Sequence, residues 1–201
     1  MKFKFFLLCI IIVSCKTNLT TAETKSDSLF NGRDLNNWTV FGNEKWFVEN
    51  QTLVCENGKD KAFGYLVTNK KYKNFELNLE FKQYAKSNGG VFVHSKLEGT
   101  NIKGLQVEIA VPGHHTAGIH SYDKGWLIKP DSINEGALKM GGWNHLKIWV
   151  KDSNMIVWLN NTKMVNLVDL KVEKGEGCIA LQVHKGDDNK LQWRNINIKE
   201  L

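Results

Sequence analysis

Strict alternation of apolar and polar residues is the feature that most constrains this chain. In Phe75-Glu-Leu-Asn-Leu-Glu-Phe81 every second side chain is large and apolar, the period of an extended strand with one buried face. Leu146, Ile148 and Val150 repeat the pattern, and Met155 to Leu159 continue it after an Asp-Ser-Asn turn. Asn160-Asn161 then predicts a hairpin, because Asn tolerates the positive φ such turns require, with Thr162 to Leu167 as the returning strand. Further strands are expected at Trp46–Val48, Thr52–Val54, Tyr65–Thr68, Gly90–Ser95, Leu105–Ala110, Ala117–Tyr122, Gly177–His184 and Leu191–Lys199. In the last of these the apolar phase slips between Trp193 and Ile196, which predicts a bulge. No stretch carries a long amphipathic helical pattern; a short helix fits Ser132 to Ala137. So many short strands in 201 residues predict one all-β domain, an antiparallel β-sandwich or jelly roll.

The first residues obey a different rule. Lys2 and Lys4 precede an apolar run, Phe5 to Val13, well short of the roughly 20 residues that span a bilayer but suited to a signal peptide. The run ends at Val13-Ser14-Cys15, which resembles the lipobox of bacterial lipoproteins, where cleavage precedes a cysteine that then carries lipid. The expected organisation is a leader over 1–14, a polar tether over 15–27 starting at lipidated Cys15, and a domain over 28–201. An ordinary secretory signal with Cys15 incidental is the alternative, and either carries the protein out of the cytoplasm. The expected location is the cell envelope, periplasmic or outer-membrane anchored, with membrane contact through the lipid alone. In that oxidising compartment Cys55 and Cys178 can pair, or can remain as two free thiols.

Composition excludes several functions. The formal charge of +6 is spread along the chain, and no basic block of the kind that binds phosphate backbones or anionic lipid is present, so nucleic acid is not an expected partner. A Gly-x-Ser-x-Gly elbow, a phosphate loop and a His-Glu-x-x-His motif are all missing, which disfavours serine-hydrolase and nucleotide chemistry.

The same alternation shows where chemistry can sit. Leu105, Val107 and Ile109 point one way, so Gln106 and Glu108 point the other, about 7 Å apart. Ile179, Leu181 and Val183 likewise send Gln182 and His184 outward; Val91 and Val93 oppose Phe92 and His94; Ile119 alternates with His120, and Arg194 follows Trp193. Residues that merely meet water are usually Lys, Glu, Thr or Ser, whereas these donate and accept directionally, and His and Glu move protons near neutral pH. A scattered set of half-exposed polar residues is the competing reading. Among seven tryptophans, Trp126 lies in a Gly-rich stretch expected to loop near these strand ends, where it and Tyr122 could stack on a sugar ring. His114, His115 and His120 with Glu108 could hold a divalent metal ion, although no standard zinc spacing is present.

These residues also fall into an ordered set of segments: Ser28-Leu-Phe-Asn-Gly-Arg-Asp-Leu-Asn-Asn-Trp38, Phe75 to Phe81, Asn88-Gly-Gly-Val-Phe92 and Gly104-Leu-Gln-Val-Glu-Ile109. They continue through Ala117-Gly-Ile, Gly125-Trp-Leu, Gly142-Trp-Asn144, Trp158-Leu-Asn160, Ile179-Ala-Leu-Gln-Val-His184 and Trp193-Arg-Asn-Ile196. Over Ser28 to Leu201 the set resembles the 3-keto-disaccharide hydrolase domain family. The resemblance implies a concanavalin-A-like sandwich, a carbohydrate substrate and cleavage of glycosides already oxidised to a ketone at C3. Many members read Glu-Val-Gln where this chain has Gln106-Val107-Glu108, and many carry Arg where His94 stands.

A C3 ketone acidifies the C2 proton, so one modest base can remove it and expel the C1 substituent, after which water adds to the enone. The expected roles are Glu108 or His120 as base, Arg194, Gln182 or a metal at the C3 oxygen, and His184 or His94 at the leaving oxygen. Gln106, Tyr122 and Trp126 would complete sugar binding. A second carboxylate, as direct displacement requires, is not evident on this face. A lectin-like module and a purely structural surface protein are the alternatives, since fold does not fix function.

Overall fold

In the computed structural model, which describes residues 25–84, 86–186 and 188–201, the alternating segments fall into two antiparallel sheets facing each other across one core. The expected leader over 1–14, Cys15 and the expected tether as far as residue 24 lie outside the described residues, and Asp27, the last residue of that expected tether, opens the first strand. The strands are β1 (Asp27–Ser28), β2 (Trp38–Phe41), β3 (Lys45–Glu49), β4 (Thr52–Glu56), β5 (Gly64–Tyr72), β6 (Phe75–Gln83), β7 (Gly89–Glu98) and β8 (Asn101–Ile109). They continue as β9 (Ile119–Ser121), β10 (Gly125–Ile128), β11 (Asn144–Lys151), β12 (Asn154–Leu159), β13 (Thr162–Val168), β14 (Gly177–Val183) and β15 (Lys190–Glu200). One sheet runs β13-β12-β11-β6-β15-β4-β3, with β1 beside β15; the other runs β10-β9-β8-β7-β14-β5-β2.

The core forms where the alternation said it should. Phe75, Leu77, Leu79 and Phe81 are fully buried and pair in register with Val150, Ile148, Leu146 and Asn144. Each large apolar side chain so buried contributes ~1.5–3 kcal/mol. Across the gap Leu105, Val107, Ile109, Ile179, Leu181 and Val183 complete the same cluster. Asn160 and Asn161 take φ of 48° and 69°, the two successive positive values a tight two-residue hairpin needs. The phase slip in β15 is a bulge between Arg194 and Asn197, with Asn195 at φ 52°.

Two local expectations are corrected. Gly118–Trp126 is not a loop but the hairpin of β9 and β10, with Trp126 paired to His120. The expected short helix is a 3₁₀ turn at Asn134–Ala137, and a one-turn helix α1 (Leu170–Glu173) was not foreseen. Of the two outcomes expected for Cys55 and Cys178, the thiols are free: Cys55 is buried in the core between the sheets, whereas Cys178 lies on the outer face of β14.

Candidate active site

Strand pairing carries the outward residues of the second sheet into one row. Trp126 faces His120, His120 faces Gln106, and Gln106 faces Phe92 across β10, β9, β8 and β7. One step along, Glu108 on β8 faces Gly90 on β7, Gly90 faces Gln182 on β14, and Gln182 faces Tyr65 on β5. Together they line a cavity of about 470 Å³ on the outer face of the sheet. Of the residues expected to bind or act, Glu108, His120, His184, Gln106, Tyr122, Trp126 and Gln182 all line it.

Glu108 is the hub. Its Oε1 accepts from Asn88 Nδ2 at 3.0 Å and its Oε2 from Gln106 Nε2 at 2.8 Å. Gln106 Nε2 also donates to Gln182 Oε1 at 3.2 Å, and Gln182 Nε2 donates to the Tyr65 hydroxyl at 3.4 Å. This amide relay needs the gap at Gly90, where an added Cβ would lie 2.8 Å from Gln106 Nε2 and 2.9 Å from the Val107 carbonyl oxygen. Burial removes water from the Glu108 carboxyl and pushes its pKa up to about 7, against the Asn88 hydrogen bond that lowers it. Burial also raises the Tyr65 hydroxyl, which stays protonated and able to donate. Glu108 is the sole carboxylate among the described residues lining the cavity.

The aromatic and imidazole walls are fixed in turn. Trp126 meets His120 edge-to-face at 5.3 Å and His115 at 5.1 Å between ring centroids. Tyr122 is 61% exposed at the rim. His184 sits edge-on to Phe63 at 4.6 Å and donates from Nδ1 to the Lys185 carbonyl at 2.9 Å. Asn189 ties the two loops at the cavity mouth, accepting the Asn88 backbone N–H at 2.8 Å and donating to the His184 carbonyl at 2.8 Å.

Two expected site residues lie elsewhere. Arg194 is on β15 of the opposite sheet, where it binds Glu80 at 2.6 Å and stacks 4.0 Å from the Trp143 ring centroid. Alternation assigns a residue to a face but not a strand to a sheet. His94 occupies the β7 bulge between Val93 and Lys96 with φ 52°, which turns it inward onto Phe75, away from Phe92. There its Nε2 donates to the Lys73 carbonyl at 2.8 Å and burial lowers its pKa. The candidate metal set also separates: His115 pairs with Glu135 at 3.2 Å, and no group of three or more His, Cys, Asp or Glu among the described residues is placed to hold a metal ion.

Tyr65 and Asn189 were given no part in the site from the sequence, and Asn88 and Gly90 entered only within the segment Asn88-Gly-Gly-Val-Phe92, without a role. Gly89-Gly90 inside a strand pattern was the available signal, since adjacent strand glycines mark a close approach.

With this geometry in hand, a family model for the 3-keto-alpha-glucoside-1,2-lyase-like domain matches residues 25–199. The chain belongs to that family. Among curated proteins it is similar to a 3-keto-disaccharide hydrolase of Bacteroides thetaiotaomicron, 23% identical over 87% of this chain and 78% of that protein. Among solved structures it resembles a Parabacteroides distasonis protein provisionally named a glycosyl hydrolase, at TM-score 0.68 and 22% identity over 88% of this chain and 100% of the other. A carbohydrate binding module, CBM66, of Bacillus subtilis superposes at TM-score 0.60 and 13% identity over 82% and 96%. At these identities the superpositions establish the concanavalin-like sandwich, which this chain shares with a binding module.

Proposed function

We propose that this member of the 3-keto-alpha-glucoside-1,2-lyase-like family cleaves 3-keto-glycosides by elimination at the Glu108 cavity. The observation that carries the reading is a single carboxylate, held by two amides and raised by burial to about 7, with proton donors around it and, among the described residues, no second carboxylate lining the cavity. Glu108 takes the C2 proton as general base, its pKa poised near neutral pH. The electron pair forms the C2–C1 double bond as the C1–O bond breaks. The Tyr65 hydroxyl and the remaining Gln182 Nε2–H hold charge on the C3 oxygen in place of Arg194. His120 gives the leaving oxygen its proton. Water then adds at C1 and gives its proton back to His120 while Glu108 returns its proton to C2, so the overall change is hydrolysis; release before hydration makes the same chemistry a lyase. Trp126 and Tyr122 present ring faces to the sugar.

The test is release from a 3-keto-glucoside bearing a chromogenic leaving group, beside the unoxidised glucoside, with and without EDTA to read whether a cation takes part. Release from the keto sugar alone is expected; no release across several leaving groups overturns the reading. The likeness to a carbohydrate binding module favours one second reading, a sugar-binding module. Under it Glu108→Gln retains sugar affinity and there is no turnover to lose.

We further propose that the mature protein is a cell-envelope lipoprotein held through Cys15, following the lipobox-like Val13-Ser14-Cys15. Cys15→Ser should move the protein from the membrane to the soluble fraction.

A further inference from the structure

Beyond the bulge at His94 the β7–β8 hairpin leaves the plane of its sheet. The register shifts between Val93 and Lys96, and on the facing strand Gly104 takes φ 152°, where a Cβ would lie 3.0 Å from the Val93 carbonyl oxygen. Past this bend Lys96–Glu98 pair with Asn101–Lys103 around a Gly99-Thr100 tip. The bent end lies across β14 and β5. Leu97 and Ile102 pack there on Tyr65, Val67, Phe92 and Ala180, none of which is more than 4% exposed. At its far end the hairpin reaches the turn between β2 and β3. A Cβ built on Gly42 would lie 3.5 Å from Thr100 Cγ2 and 2.7 Å from the Phe63 carbonyl oxygen, so tip, turn and Phe63 meet.

This hairpin makes the two sides of the Glu108 cavity unequal. On the β5 side the lining is Phe63, Thr100, Asn101 and Ile102, closed over the sheet; on the β9–β10 side it is His120, Trp126 and Tyr122, with Tyr122 61% exposed. In a pyranose ring C1 and C4 lie opposite each other. With the leaving oxygen at His120 on β9 and the C3 oxygen at Tyr65 on β5 and Gln182 on β14, the line from C1 to C4 runs across the sheet from β9 toward β5. C4 then meets the hairpin end, and the leaving group passes out beside Trp126 and Tyr122. Thr100 and Asn101 are exposed polar residues at the closed side, and the Asn101 amide can both donate to and accept from a hydroxyl.

We propose that the end of the β7–β8 hairpin is a specificity cap: Asn101 binds the free C4 hydroxyl of the 3-keto ring, and the packed tip excludes any ring that carries a further sugar on its C4 oxygen. The inference rests on the reading of the Glu108 cavity as the cleavage site. Room for such a sugar would require lifting Ile102 and Leu97 off Tyr65, Val67 and Phe92, which exposes a buried apolar cluster to water. The leaving group meets no such wall, so its length is tolerated.

Two measurements on the whole protein separate this proposal from the reading beneath it. The first compares kcat/KM for a 3-keto-glucoside with a chromogenic leaving group, for its C4-deoxy analogue and for the same sugar with a glucosyl group on the C4 oxygen. The glucosylated ring should be cleaved about 100-fold more slowly or worse. Asn101→Ala, an exposed change, should slow the parent by about tenfold and leave the C4-deoxy sugar unchanged, because that sugar has no hydroxyl to lose contact with. The second measures binding of the three sugars to Glu108→Gln by calorimetry, which needs no turnover, and should give the same order of affinity. Equal rates or equal affinities for the parent and the glucosylated ring overturn the cap. An equal effect of Asn101→Ala on the parent and the deoxy sugar removes Asn101 from it. The expected order of affinities, with no turnover of any of the three by the unmodified chain, overturns the cleavage reading and leaves the cap standing. Absence of binding by all three overturns both.

Discussion

The outer faces of the two sheets are built on one period and used in opposite ways. On the β6–β15 sheet the outward residues form charged surface pairs such as Arg194–Glu80, whose side chains are 39% and 26% exposed. Pairs of this kind contribute ~0–1 kcal/mol and do little beyond keeping the face wet. On the β8–β14 sheet the outward residues sink instead: Gln106 is 9% exposed and Gln182 3%, and both work through amide hydrogen bonds to Glu108 or its neighbours. Buried polar groups are costly unless each finds a partner. The contrast teaches that identical alternation marks a site only where the polar face is also walled off from water, here by Phe92, Tyr65 and Trp126.

The comparison breaks first at Glu108. Glu108→Gln should cut kcat/KM on a 3-keto-glucoside by about 10²–10⁴-fold, the scale of a lost general base. The same change should stabilise the fold at high pH. A carboxyl raised from 4.5 to about 7 binds more protons folded than unfolded between those values, so it costs stability as pH rises through that window. Thermal melting should therefore show the variant equal to the unmodified protein near pH 4.5 and more stable by ~1–3 kcal/mol at pH 8. The partnerless Oδ1 of Asn88 can turn to meet the new amide, so the substitution leaves no clash.

Gly90→Ala comes next. Its Cβ would sit 2.8 Å from Gln106 Nε2, so the relay must shift, and turnover should fall by about 10–100-fold with a stability loss of ~1–3 kcal/mol. Loss of stability with turnover intact would show that the relay does not position the base.

A milder effect follows from pH. In the unmodified protein kcat/KM should rise as Glu108 ionises, with its half-point near 7. Asn88→Ala removes the hydrogen bond that favours the carboxylate and should move that half-point upward; an unmoved profile would assign the titration to another group. The smallest effect belongs to the opposite sheet. Arg194→Ala should change stability by ~0–1 kcal/mol and leave kcat/KM within about twofold. A large drop in turnover would mean that the outer face of the β6–β15 sheet takes part after all.

Much of the fold was legible because period two is a local property. Phe75–Phe81, the Asn160-Asn161 turn and the β15 bulge each follow from a few consecutive residues. Within the site, the orientation of Gln106 with Glu108 and of Gln182 with His184 was legible for the same reason, since strand neighbours two apart share a face. His94 was misplaced because a one-residue bulge reverses every side chain that follows it, and nothing in Val91-Phe-Val-His94 announces one.

The sequence by itself determined that this chain makes an antiparallel sandwich and, outside bulges such as that at His94, which residues of each strand avoid the core. Burial of apolar surface enforces that choice strand by strand, whatever the neighbours are. Only the tertiary structure decided which strands lie side by side, and so which avoiding residues meet. Pairing β14 between β7 and β5 put Gln182 beside Gly90 and Tyr65, while pairing β15 with β6 carried Arg194 to the far side of the molecule. Strand order is set by long-range packing of whole sheets, a sum over many distant contacts that no local pattern records.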